Sequence, residues 1–72
     1  MRQWLKDLRQ KMALSQSEVA TKIGITQQQY SFIENGNRTP SVETAQAIAN
    51  VLGFPWTRFF EPDTQEEKPD RP

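Results

Sequence analysis

Cysteine and histidine are both missing from the 72 residues. Without cysteine there is no disulfide framework and no thiolate zinc site. Without histidine, the commonest metal ligand and the commonest general base are gone. Apolar runs are only a few residues long, so no membrane span fits, and no signal-peptide pattern opens the chain. No Gly-rich phosphate loop occurs, and the few carboxylates fall at helix caps, on surfaces or near the C-terminus. These absences lead us to expect a soluble cytoplasmic protein that is not an enzyme and carries no cofactor and no metal. A chain this short holds one domain at most, with a modest core.

Net charge is zero, but the charges are not spread evenly. Residues 1–60 carry seven basic side chains (Arg2, Lys6, Arg9, Lys11, Lys22, Arg38, Arg58) against four acidic ones (Asp7, Glu18, Glu34, Glu43), a surplus of three. Residues 61–72 carry five acidic side chains against two basic ones, a deficit of three, together with Pro62, Pro69 and Pro72 and no large apolar residue. The expected division is a mildly basic domain over 1–61 and an acidic, proline-containing disordered tail over 62–72, which lacks the apolar surface to offset its ordering cost.

Apolar residues recur at helical spacing, and no segment sustains the two-residue alternation of a strand, which predicts an all-α fold. A first helix is expected over about 2–12, with Leu5, Leu8 and Met12 on one face. Ser15 and Glu18 read as a capping box that opens a second helix over about 16–23, with Val19, Ala20 and Ile23 inward. Gly24 ends it, and Thr26 with Gln29 forms a second capping box for a helix over about 27–35. Asn35-Gly36 stops this third helix. Ser41 caps a fourth over about 42–52, with Ala45, Ile48, Ala49 and Leu52 as its inner stripe. Pro55 opens a short fifth over about 55–60, bringing Trp56, Phe59 and Phe60.

Only Gly24, Ile25 and Thr26 separate the second and third helices. So tight a joint suits the bihelical unit whose second helix enters the DNA major groove. Ala20 permits close approach of the two helices, and Ile25 and Ile33 close the angle between them. The strings Leu14-Ser15-Gln16-Ser17-Glu18-Val19-Ala20, Gly24-Ile25-Thr26 and Ile33-Glu34-Asn35-Gly36-Asn37-Arg38-Thr39-Pro40-Ser41 closely resemble the phage repressor/Cro-like (Xre) helix-turn-helix family, and the similarity extends from Leu5 to about Glu61. The resemblance implies a compact five-helix bundle of the lambda-repressor-like type. It also implies a transcriptional regulator, in the repressor sense, that binds an inverted-repeat operator in double-stranded DNA as a homodimer.

Tyr30 and Ile33 are expected to face the core, which leaves Gln27, Gln28, Ser31 and Phe32 outward with Gln29 at the flank. These five are the candidate base-reading residues. By resemblance, the positions of Gln27, Gln28 and Phe32 face base edges. Glutamine pairs bidentately with adenine, and an exposed ring packs on a thymine methyl. Phe32 has a second reading, packing against a neighbouring loop or a dimer partner. The candidate phosphate-binding residues, also by resemblance, are Gln16, Asn35, Arg38 and Thr39. Gln16 stands where free amides and the helix dipole attract an anion. Arg38 lies in the loop beside the reading helix, within reach of a strand or the minor groove. The resemblance further implies a structural ion pair between Arg9 and Glu34.

Ala13 stands where the family often has glycine or another turn-tolerant residue, so the first turn is expected to differ. The surplus of three positive charges is low for a DNA binder and implies a shallow salt dependence per monomer. The cluster Phe54, Trp56, Phe59 and Phe60 reads equally as a dimer surface and as a cap on the monomer core. The alternative function is an antitoxin-like module that holds a partner protein through the C-terminal tail and also regulates its own promoter.

Overall fold

In the computed structural model, residues 1–61 are described, and the tail expected over 62–72 lies outside them. Four α-helices follow one another: α1 Gln3–Lys11, α2 Gln16–Ile23, α3 Gln27–Glu34 and α4 Val42–Leu52, with a closing 3-10 turn over Trp56–Phe60. No strand occurs among the described residues. The five-helix expectation is thus corrected to four α-helices. The fifth segment is five residues long, too short to offset the cost of nucleating an α-helix. It tightens instead into bonds of shorter reach, with the Arg58 amide donating to the Pro55 carbonyl (3.0 Å) and the Glu61 amide to the Arg58 carbonyl (3.3 Å).

The starts of α2 and α3 follow from their capping boxes. The Ser15 hydroxyl accepts from the Glu18 amide, and the Glu18 carboxylate accepts from the Ser15 amide (2.7 Å). Thr26 and Gln29 repeat the arrangement one helix later. Each box satisfies two amides that the first helical turn leaves without partners, and losing such a cap costs about 1 kcal/mol.

The helix ends share one geometry, and Ala13 takes part in it. Gly24, Gly36 and Gly53 adopt positive φ (81°, 83° and 77°), and Ala13 joins them at 58°. The Ala13 amide donates to the Gln10 carbonyl (2.9 Å) and the Leu14 amide to the Arg9 carbonyl (3.2 Å). The same double closure appears after α3, from Gly36 to Ile33 and from Asn37 to Phe32. At this turn an alanine is held in the left-handed region that glycine adopts without strain. A Cβ in the left-handed region costs about 1–2 kcal/mol, and glycine's extra unfolded-state entropy offsets roughly 0.4–1 kcal/mol of the relief. Ala13→Gly is expected to stabilise the domain by up to about 1 kcal/mol, read as a rise of a few degrees in melting temperature. A fall in melting temperature would contradict the strain at this position.

The core gathers Leu5 of α1, Val19 and Ala20 of α2, Tyr30 and Ile33 of α3, and Ala45, Ile48 and Leu52 of α4, closed by Phe59 of the 3-10 turn. Burying each large aliphatic side chain contributes about 1.5–3 kcal/mol. Ala20 is buried where α2 meets α3, as expected for helices that cross closely. At one end of the core Trp4, Phe54 and Phe59 meet with ring centroids 5.1–5.5 Å apart. This end anchors the 3-10 turn to α1 and α4, so α2 and α3 rest on a fixed base.

Candidate nucleic-acid interface

The interface is built on one buried carboxylate. Glu34, in the last turn of α3, is 1% exposed. Its Oε1 accepts from Arg9 Nε (2.9 Å) and from the Tyr30 hydroxyl (2.9 Å). Its Oε2 accepts from Arg9 Nη2 (3.0 Å) and from Gln16 Nε2 (3.0 Å). Arg9 also donates through Nη1 to the Leu14 carbonyl (2.8 Å). A single carboxylate thereby holds α1, α2 and α3 at one point, and its two oxygens accept four hydrogen bonds. Burial alone would raise the Glu34 carboxyl, but donors from Arg9, Gln16 and Tyr30 and the Arg9 charge outweigh it and hold the group below the ordinary carboxylate value. The hydrogen bonds to Glu34 raise the Arg9 guanidinium against its own burial. Burial first, then the Glu34 charge, pushes the Tyr30 phenol far above its usual range.

With Tyr30, Ile33 and Glu34 turned inward, the opposite side of α3 is left open. Gln27 and Gln28 are exposed, and neither side chain has a hydrogen-bond partner among the described residues. Gln29 is exposed too, but its Oε1 is engaged by the Thr26 amide (2.9 Å). Ser31 is half-buried and accepts from Asn35 Nδ2 (3.3 Å). Phe32 is half-buried, with the Arg38 guanidinium over its ring at 5.7 Å from the centroid. Arg38, Thr39 and Asn35 lie exposed in and before the loop that follows.

Gln16 stands at the first position of α2, but its amide is turned to Glu34. The exposed end of α2 also carries the Glu18 carboxylate, held below its ordinary value by the Ser15 amide and then the Ser15 hydroxyl. The backbone amides there share their positive end with a resident negative charge. The aromatic cluster divides. Phe59 (6% exposed) belongs to the core, Phe54 and Trp56 are half-buried and pack against it, and Phe60 is 46% exposed, edge-on to Trp56 at 6.0 Å.

Two residues at this site were not singled out from the sequence. Tyr30 was placed inward, but its hydroxyl partner was not foreseen, although its spacing of four from Glu34 on one helix is a usable signal. Arg2 enters the sequence reading only in the charge count. Its backbone amide donates to the Glu34 carbonyl (2.8 Å), and its guanidinium to the Ile33 carbonyl in the last turn of α3 and to the Arg38 carbonyl in the loop beyond it. It also lies over the Phe59 ring at 5.5 Å, and burial lowers its pKa.

A helix-turn-helix family matches residues 5–59. The uncharacterized HTH-type transcriptional regulator YqaF of Bacillus subtilis is 46% identical over 68 residues, covering 94% of this chain and 90% of YqaF. The HTH-type transcriptional regulator PuuR of Escherichia coli is 35% identical over 68 residues, and the chain spans 35% of PuuR's length. The cryptic phage CTXphi transcriptional repressor RstR of Vibrio cholerae is 37% identical over 51 residues, covering 71% of this chain and 46% of RstR. No solved structure gives a significant match.

Proposed function

The chain belongs to the helix-turn-helix family and is a DNA-binding regulator of transcription, and we propose that it reads its operator through the exposed edge of α3. The observation that carries this reading is the pair Gln27 and Gln28: side by side, solvent-facing, and with amide groups uncommitted among the described residues. Such amides match the donor and acceptor on the major-groove edge of adenine. Ser31 and the free amide nitrogen of Gln29 border the same edge. Asn35, Arg38 and Thr39 stand beside it for backbone phosphates, and Gln16 contributes from α2 while it holds Glu34. Repression follows from occupying a promoter.

Trp56 and Phe60 are the apolar surface for a second copy, which doubles the contacts of a weakly basic monomer and sets an inverted-repeat operator. This is non-enzymatic action in the cytoplasm, where the DNA is. No helix among the described residues is long and apolar enough to cross a membrane, and no group of metal-ligating side chains occurs among them. Nothing in the described residues favours the antitoxin-like alternative.

Selection of duplexes from a random pool tests the reading. The wild-type chain is expected to recover an inverted repeat with A·T pairs under Gln27 and Gln28. Gln28→Ala is expected to relax preference at one base pair per half-site and to weaken binding by about 1–3 kcal/mol. An unchanged preference would falsify the assignment of the reading face.

A further inference from the structure

Phe32 is a half-buried ring that takes no part in the hydrophobic core. Its carbonyl accepts from the amides of Asn37 (2.9 Å) and Arg38 (3.2 Å), and the Arg38 guanidinium lies over its ring. On the other side, the Arg38 carbonyl accepts from Arg2 Nη1 (3.3 Å), and the same nitrogen donates to the Ile33 carbonyl. The backbone of Arg38 is therefore held from two directions, and its side chain rests on the ring. No carboxylate among the described residues pairs with Arg38.

We infer that Phe32 is a positioning residue: it holds the Arg38 guanidinium beside the reading edge of α3, ready for a DNA backbone phosphate, and does not itself read a base. This rests on the assignment of α3 as the reading helix. The chemistry suits the role. A guanidinium held over a ring by cation–π attraction spends none of its N–H donors on it, so they stay available for phosphate oxygens. A long side chain already restrained loses less rotamer freedom on binding. A ring with one face under a guanidinium is also a poor thymine-methyl contact. The low positive charge of the domain makes one well-placed arginine count for more.

The test is a cycle of Phe32→Leu, Arg38→Ala and the double variant. Each is measured for affinity against a duplex recovered by the wild-type chain and for the salt dependence of binding. Thermal unfolding first checks that each variant is folded, and Phe32→Met, which keeps the apolar volume without the ring, serves if the leucine variant is not. Arg38→Ala is expected to reduce the slope of log K against log salt by about 0.9. Phe32→Leu is expected to weaken binding about 2–5-fold in the presence of Arg38 and to add nothing in its absence. Phe32→Tyr, which keeps the ring, should bind like the wild type. An equal loss from Phe32→Leu in both backgrounds overturns the inference, and so does a change in base preference at one position with the Arg38 coupling absent. Unaltered base preference in Gln28→Ala, measured in the same selection, overturns the reading face and the inference with it.

Discussion

Glu34→Gln is expected to lower the unfolding free energy by about 3–5 kcal/mol, which is comparable to the whole stability of a domain this small. The side chains are nearly isosteric, so the loss comes from charge and donor count. In the native protein two oxygens accept from Arg9 twice, from Gln16 and from Tyr30. An amide turns one of those oxygens into an NH2 group facing donors, and it leaves the buried Arg9 guanidinium without a counter-charge. Denaturant titration measures the loss, and a change under about 1 kcal/mol would rule out the carboxylate as the junction of the three helices. Arg9→Met should cost much less in the Glu34→Gln background than alone, because the two share one interaction.

The same group shapes the response to pH. The native Glu34 carboxyl lies below its ordinary value of 4.5, so its contribution is complete above about pH 4.5 and is lost as pH falls through the native value. Tyr30 acts in the opposite sense. Its native phenol lies above the ordinary value of 10.0, so its contribution is complete below that pH and is lost as pH rises through the native value. Stability is expected to be level between these limits and to fall on either side. The acid limb should be shallower in Glu34→Gln.

Phe59→Ala is the second large effect, a loss of about 3–5 kcal/mol. Phe59 is buried, touches the rings of Trp4 and Phe54, and lies under the Arg2 guanidinium. Its removal opens a cavity at the end of the core and releases the 3-10 turn. Phe60→Ala, one residue along, should change monomer stability by about 0.5 kcal/mol or less and weaken self-association instead. Thermal melts with sedimentation at matched concentrations distinguish the two. Equal destabilisation by both substitutions would refute the division between a core ring and a surface ring.

Most of the helical framework was legible because its signals are local. Ser15 with Glu18, Thr26 with Gln29, and Ser41 are signals that each span no more than four residues, and the observed starts of α2, α3 and α4 agree with them. The open edge of α3 was legible for the same reason: once Tyr30 and Ile33 face inward, helical periodicity leaves Gln27 and Gln28 outside. Apart from the Tyr30 hydroxyl bond to Glu34, four positions along one helix, the side-chain meetings that escaped are nonlocal. Arg2 meets Ile33 across 31 positions of sequence and Gln16 meets Glu34 across 18, and no spacing rule encodes either meeting. The fifth helix failed on length: proline at its head and three aromatic rings signalled an element, but five residues do not sustain an α-helix. The positive φ of Ala13 was not legible for a different reason. A left-handed turn tolerates alanine at a cost, so composition underrates what the rest of the fold enforces.

The division of labour on α3 has a practical corollary. Tyr30, Ile33 and Glu34 anchor the helix, while Gln27 and Gln28 take no part in holding it. The outer pair is therefore exchangeable without disturbing the scaffold, and on the reading proposed for α3 a swap for another couple of side chains is expected to retarget the protein to a new address in the genome. Phe32 and Arg38, if they act as inferred above, would travel with the chassis and supply the same grip wherever the graft sends it.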